Sequence, residues 1–200
     1  MIKADFTAEL HCEGAGQVVV ADASWYDPTM RLDDQGWLCA ENDREDHQLT
    51  SGQFLRIKFD FEYLRMERGS AGERAIYNIK CNNRWNYAGA RLERNARGWL
   101  GLYGTGWTGR VTDAVTNLPL HLAGFGDYWK IDTLRDWNGN VESADSIPFY
   151  LRDKHGHRVA RAKSKDASVD LSLNRARFLN SGETPGEIVT FYLKNIQLAS

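Results

Sequence analysis

Between Phe54 and Leu64 the chain alternates almost without error. Leu55, Ile57, Phe59, Phe61 and Tyr63 are apolar, whereas Arg56, Lys58, Asp60 and Glu62 are charged. Successive side chains of an extended strand point to opposite faces, so this pattern builds one strand with an apolar side and a wet side. A helix would scatter the same apolar residues around its circumference. The same period-two logic predicts strands over 2–10, 17–25, 74–81, 85–92, 98–103, 128–134, 147–152, 157–163, 168–173 and 187–198. Glu13-Gly14-Ala15-Gly16, Gly69-Ser70-Ala71-Gly72, Asn138-Gly139-Asn140, His155-Gly156 and the stretch Ser181 to Gly186 supply turn chemistry between them. Many short strands with no sustained helical pattern predict an all-β fold. The expected form is a two-layer antiparallel β-sandwich of jelly-roll type, with a closed antiparallel barrel as the alternative. The last strand, 187–198, is apolar on both faces at its centre, as a central strand should be.

A chain of 200 residues can bury most of its apolar surface in one core, so a single domain over 1–200 is expected. Apolar residues make up 42% and charged residues 26%, which excludes a disordered or collagen-like chain. The near-neutral balance, a net charge of -2, gives no global reason to bind nucleic acid. The N-terminal stretch Met1 to Leu10 alternates and carries Asp5 and Glu9, unlike a secretory signal. No run approaches the length of a membrane-spanning helix. Cytoplasmic synthesis is therefore expected, with leaderless export compatible with the same sequence. Cys12, Cys39 and Cys81 lack metal-ligand spacing and read as reduced core thiols, with one disulfide plus a free thiol as the alternative.

The chain is rich in rings, with seven Trp, eight Tyr and eight Phe. The most informative stretches are Asn82-Asn83-Arg84-Trp85-Asn86-Tyr87-Ala88-Gly89 and Gly98-Trp99-Leu100-Gly101-Leu102-Tyr103-Gly104-Thr105-Gly106-Trp107-Thr108-Gly109-Arg110. On a strand Trp99, Gly101 and Tyr103 share one face, and Gly101 leaves a flat gap between the rings. With Leu100 and Leu102 turned to the core, those rings face outward, and exposed aromatics mark contact surfaces. Pyranose C–H faces pack on indole and phenol rings while amides and guanidinium groups meet the hydroxyls. Trp85, Tyr87, Trp99, Tyr103 and Trp107 are thus the candidate platforms, with Asn83, Asn86 and Arg84 as hydrogen-bonding partners. The alternative places Trp99 and Tyr103 inside as core filling. A second aromatic set, Tyr128, Trp129 and Trp137, lies among Asp127, Asp132 and Asp136 and is a candidate second rim of the same groove.

The expected function is non-catalytic, lectin-like carbohydrate binding, with a glycan as partner and no cofactor. A β-sandwich toxin that docks its tip aromatics on a membrane surface or receptor is the alternative. A polysaccharide-processing enzyme using Asp60 or Glu62 comes next, although cross-strand ion pairing explains those carboxylates equally well. Stacking of single-stranded bases between Arg84 and Arg110 is disfavoured by the overall charge. Asp22 to Asp46 holds eight acids against two arginines. It makes Asp33, Asp34, Asp43 and Asp46 candidate calcium ligands, but without the spacing of an EF-hand loop. His155-Gly156-His157 reads as a hairpin turn in preference to a metal site.

Overall fold

In the computed structural model, the described residues are 1–21, 36–46, 54–69, 72–82, 87–95, 97–103, 127–163, 177–182 and 185–199, the side chains of 44–46 excepted. Fourteen strands run in chain order: β1 (Phe6–Cys12), β2 (Gly16–Ala21), β3 (Gly36–Ala40), β4 (Phe54–Arg56), β5 (Phe59–Gly69), β6 (Gly72–Cys81), β7 (Arg91–Arg94), β8 (Leu100–Tyr103), β9 (Trp129–Thr133), β10 (Phe149–Arg152), β11 (Ala160–Lys163), β12 (Arg177–Asn180), β13 (Gly186–Ile188) and β14 (Phe191–Leu198). Two 3-10 segments, Glu41–Asp46 and Val141–Ser146, complete the described elements. No described helix is long and apolar enough to cross a membrane.

The expected all-β antiparallel architecture is the one observed. Eleven strands form one sheet in the order β4-β2-β3-β8-β7-β6-β5-β1-β14-β10-β9, and β12-β11-β13 form a small second sheet. The large sheet folds over on itself, because β9 also pairs with β6 and β2 also pairs with β1. β1 gives one edge to β14 and divides the other between β5, at Phe6–Ala8, and β2, at His11–Cys12. β6 does the same, meeting β9 at Ala75–Tyr77 and β7 at Lys80. The layers of a sandwich and the closure of a barrel are thus both drawn from one continuous sheet.

Two bulges let the alternation survive this bending. The pattern of 54–64 is broken at 57–58, so that β4 pairs with β2 while β5 pairs with β1 and β6. Along β5, Phe59 and Phe61 face the core, and the register then slips between Tyr63 and Arg65. Leu64 is the extra residue and stands 42% exposed, after which Met66 takes over the inward side. A similar slip where β14 crosses β1 places Asn195 at φ 53, a left-handed conformation that Asn tolerates better than most residues. The strand expected over 187–198 is divided: Gly186–Ile188 forms β13 in the small sheet, and Phe191–Leu198 forms β14, which lies between β1 and β10 and buries one face at Phe191 and Leu193.

The core runs through both closures. Phe6 stacks on Phe61 at 4.5 Å between ring centroids, and Tyr77 meets both edge-on. Trp129 is fully buried and satisfies its indole N–H on the Leu92 carbonyl at 2.7 Å. β2 is buried on both sides, since Val18 and Val20 join the main core while Val19 and Ala21 join a second cluster with Cys39 and Phe178. The small sheet supplies this double cover, Phe178 closing the outer cluster and Leu179 the main core.

Sequence reading and structure part in several places. β3 and β12 were not expected, being short alternating pieces beside charged loops. Of the strand expected over 85–92, Trp85 and Asn86 lie outside the described residues, Tyr87–Gly89 form a turn in which Gly89 adopts φ 76 and donates back to the Cys81 carbonyl, and strand pairing begins at Arg91. The strand expected over 168–173 lies outside the described residues.

None of the three cysteines is in a disulfide, and all are buried. Burial pushes the Cys12 thiol up to about 12 from an ordinary 9.0, and pushes Cys39 up as well. The folded chain therefore holds a proton that the unfolded chain releases above pH 9.0. The stability this thiol contributes is intact below pH 9.0 and drains as the pH rises towards about 12. Urea midpoints should fall across that window, and Cys12→Ala should flatten the fall; an unchanged slope would refute the assignment. Phe61→Ala should cost ~3–5 kcal/mol through lost burial and a residual cavity, read as a lower denaturant midpoint at constant m-value.

Candidate functional site

The aromatic strand β8 orients as its alternation predicts. Leu100 and Leu102 are buried in the main core, so Trp99, Gly101 and Tyr103 lie on the outer side of the sheet. Trp37 pairs directly with Gly101 across β3 and β8, and Ala21 pairs with both Trp37 and Phe54. One outward row therefore reads Phe54, Ala21, Trp37, Gly101 and Glu93 across β4, β2, β3, β8 and β7. Small residues on both sides of Trp37 leave its large ring room.

Phe178 of the small sheet sits over this row and touches both indoles, its ring centroid 6.4 Å from Trp37 and 6.4 Å from Trp99. Trp37, Phe54 and Trp99 pack around Val19, Ala21, Cys39 and Phe178, yet each remains partly exposed. Trp99 is fixed from its backbone, which donates to the Asn95 side chain at 3.0 Å, and it bridges to Asn180. The outer face is thus half a second core and half a surface. Trp99 is packed against the outer cluster and still partly exposed, whereas Tyr103 buries its hydroxyl and is only partly exposed as a residue.

The flat gap at Gly101 is taken by the protein itself. A Cβ there would lie 3.1 Å from the Tyr103 ring and 3.1 Å from the Gly36 carbonyl. Tyr87 corrects the expectation of a docking ring. It is only 5% exposed, and a Cβ on Gly36 would lie 2.8 Å from its ring, so the phenol fills a slot that a glycine opens. Trp85, Trp107, Asn83, Asn86 and Arg84 lie outside the described residues. Trp37, Phe54 and Phe178 were missed in the sequence, although the alternation of Gly36-Trp37-Leu38-Cys39-Ala40 carries the signal for Trp37.

The second aromatic set does not converge. Trp129 is core, and Trp137 lies by the mouth of the barrel with its indole N–H on Ser143 at 2.9 Å. Tyr128 stands on the outer face between Arg65 and Lys130, 5.4 and 5.6 Å from its ring centre. A cavity of about 10 Å3 between Ile2, Phe6, Tyr77, Trp137 and Phe149 has space for a single water, far less than a sugar ring.

The charged candidates are engaged in pairs. Glu62 accepts from Lys80, and Asp60 accepts from Thr7 at 2.7 Å and Asn82 at 2.6 Å. Cross-strand pairing thus accounts for both carboxylates. Asp43 is buried, and both its oxygens accept from the Arg161 guanidinium, Nε standing at 2.8 Å. A calcium ion would have to displace an arginine there. Asp33, Asp34 and the Asp46 side chain lie outside the described residues. Among the described residues no group of three or more His, Cys, Asp or Glu side chains is placed to hold a metal. His155 and His157 flank a turn at Gly156, φ 92, organised by buried Asp153, which accepts from the His157 backbone at 2.9 Å and ring at 3.1 Å.

Arg161→Ala should lower stability by ~3–5 kcal/mol, because it strands a buried carboxylate. Replacing both partners, as Asp43→Leu with Arg161→Met, should recover much of the loss, while calcium or chelator should leave the wild-type melting temperature where it is. Thermal melts of the three chains check this. Searches of protein-family models, curated proteins and solved structures found no match to this chain.

Proposed function

We propose that the chain is a non-catalytic carbohydrate-binding module whose stacking platforms are Trp37 and Trp99. The observation that carries this reading is the pair of partly exposed indoles on one outer face, held on neighbouring strands and braced by Phe178. Rigid rings bind at low entropic cost, and the contacts that both indoles make with Phe178 on this face supply that rigidity. The same face continues across β7 into Glu93 and Arg91, which pair with Gly101 and Tyr103 and bring a carboxylate and a guanidinium beside the rings. Sugars need both kinds of surface, an apolar plane for the ring and polar groups for the hydroxyls. Asp60 and Glu62 serve the fold as cross-strand partners, and the reading assigns them no covalent step.

A glycan array probed with the whole chain tests it. Trp37→Ala and Trp99→Ala should each weaken a bound glycan by about tenfold, the worth of one aromatic stacking contact. Cooperative unfolding should persist in both variants. Binding that survives both substitutions, or a wild-type chain that captures no glycan, would remove the proposal.

A further inference from the structure

The outer face of β5, β6, β9 and β10 carries a line of like charges. The register pairs Arg65 with Ile76, Ile76 with Lys130, Lys130 with Arg152, and Arg152 with Arg158. All point outward, since their alternating neighbours Met66, Ala75, Ile131 and Leu151 face the core. Four cations thus lie along one cross-strand row, spanning roughly 19 Å at the usual strand spacing. Like charges directly opposite each other disfavour pairing, and here the opposition occurs twice in succession.

The two carboxylates that reach the row, Asp132 and Glu67, do not balance it. Asp132 is shared between Arg74 at 3.2 Å and Arg152 at 2.9 Å. Glu67 is shared between Lys130 at 2.8 Å and Arg65 at 4.0 Å. Each acid serves two bases, and Arg158 adds a further cation over the Tyr150 ring at 4.6 Å. The two ends of the row are the members open to water, Arg65 with 54% of its side chain exposed and Arg158 exposed as well, whereas Lys130 is buried and Arg152 is largely covered.

We infer that this wall docks a linear anionic polysaccharide, one bearing sulfate or carboxylate groups along its length. Charge complementarity selects a polyanion. The tyrosines choose between polyanions, because Tyr128 and Tyr150 both have cations over their rings. Rings used in that way offer no open platform for stacked bases, which single-stranded nucleic acid would require. The exposed guanidinium groups at the two ends of the row need only anions set at an interval. The surface is separate from the Trp37–Trp99 face and does not depend on it.

Binding of the whole chain to immobilised heparin, titrated with sodium chloride, tests the inference. Affinity should fall linearly on logarithmic axes as salt rises, the mark of counterion release. The double variant Arg65→Ala/Arg158→Ala should bind at least ~tenfold more weakly at low salt, with a slope shallower by about two. Trp37→Ala should bind heparin as the wild type does, which keeps this proposal distinct from the aromatic face. Absence of binding at low salt, an unchanged double variant, or equal retention on uncharged dextran would each overturn it. Oligothymidine bound as tightly as heparin would overturn the choice of polysaccharide.

Discussion

Everything in this fold depends on two strands that each divide an edge. β1 and β6 are long enough to pair with one neighbour at one end and another at the other end, and the sheet closes through them. Closure joins the walls through paired backbone and encloses the main apolar core. The aromatic knot of Phe6, Phe61 and Tyr77 sits where the divided strands run together.

Bulges are the device that makes such bending compatible with strict alternation. Each inserts one residue and moves the apolar side from odd to even positions, which is how Leu64 stands in water while Met66 packs inward. The outer surfaces then diverge in character according to what covers them. Over β2, β3 and β8 the small sheet lays Phe178 on the outside, and the strands become buried on both faces. Over β5, β6, β9 and β10 charged side chains take that place and cover Ile76 completely. An aromatic surface and a cationic surface thus arise on one sheet, the first from partial cover and the second from cross-strand register.

Much of the architecture was legible because alternation is a local signal. The β5 pattern and the outward side of Trp99 and Tyr103 both follow from side-chain period and composition. The missed elements share a different property. β3 and β12 are four or five residues long, too brief for period two to stand out beside acidic or basic neighbours. Tyr87 was misread for another reason, since its burial comes from a slot over Gly36, a residue far away along the chain. Trp129 belongs to the core although an aromatic next to tyrosine and aspartate looks wet in sequence, because the β6–β9 pairing turns it inward.

What the amino-acid sequence determined by itself was the secondary-structure class and the inside–outside sense of its longest strands, because those depend on a residue and its immediate neighbours. Tertiary structure alone decided which residues share a surface. Phe178 reaches Trp37 and Trp99, Arg161 finds Asp43, and Lys130, Arg152 and Arg158 fall into line only through strand register and crossover. Register is a cooperative property of many backbone hydrogen bonds and of the turns and bulges between them, so no local window of the chain contains it.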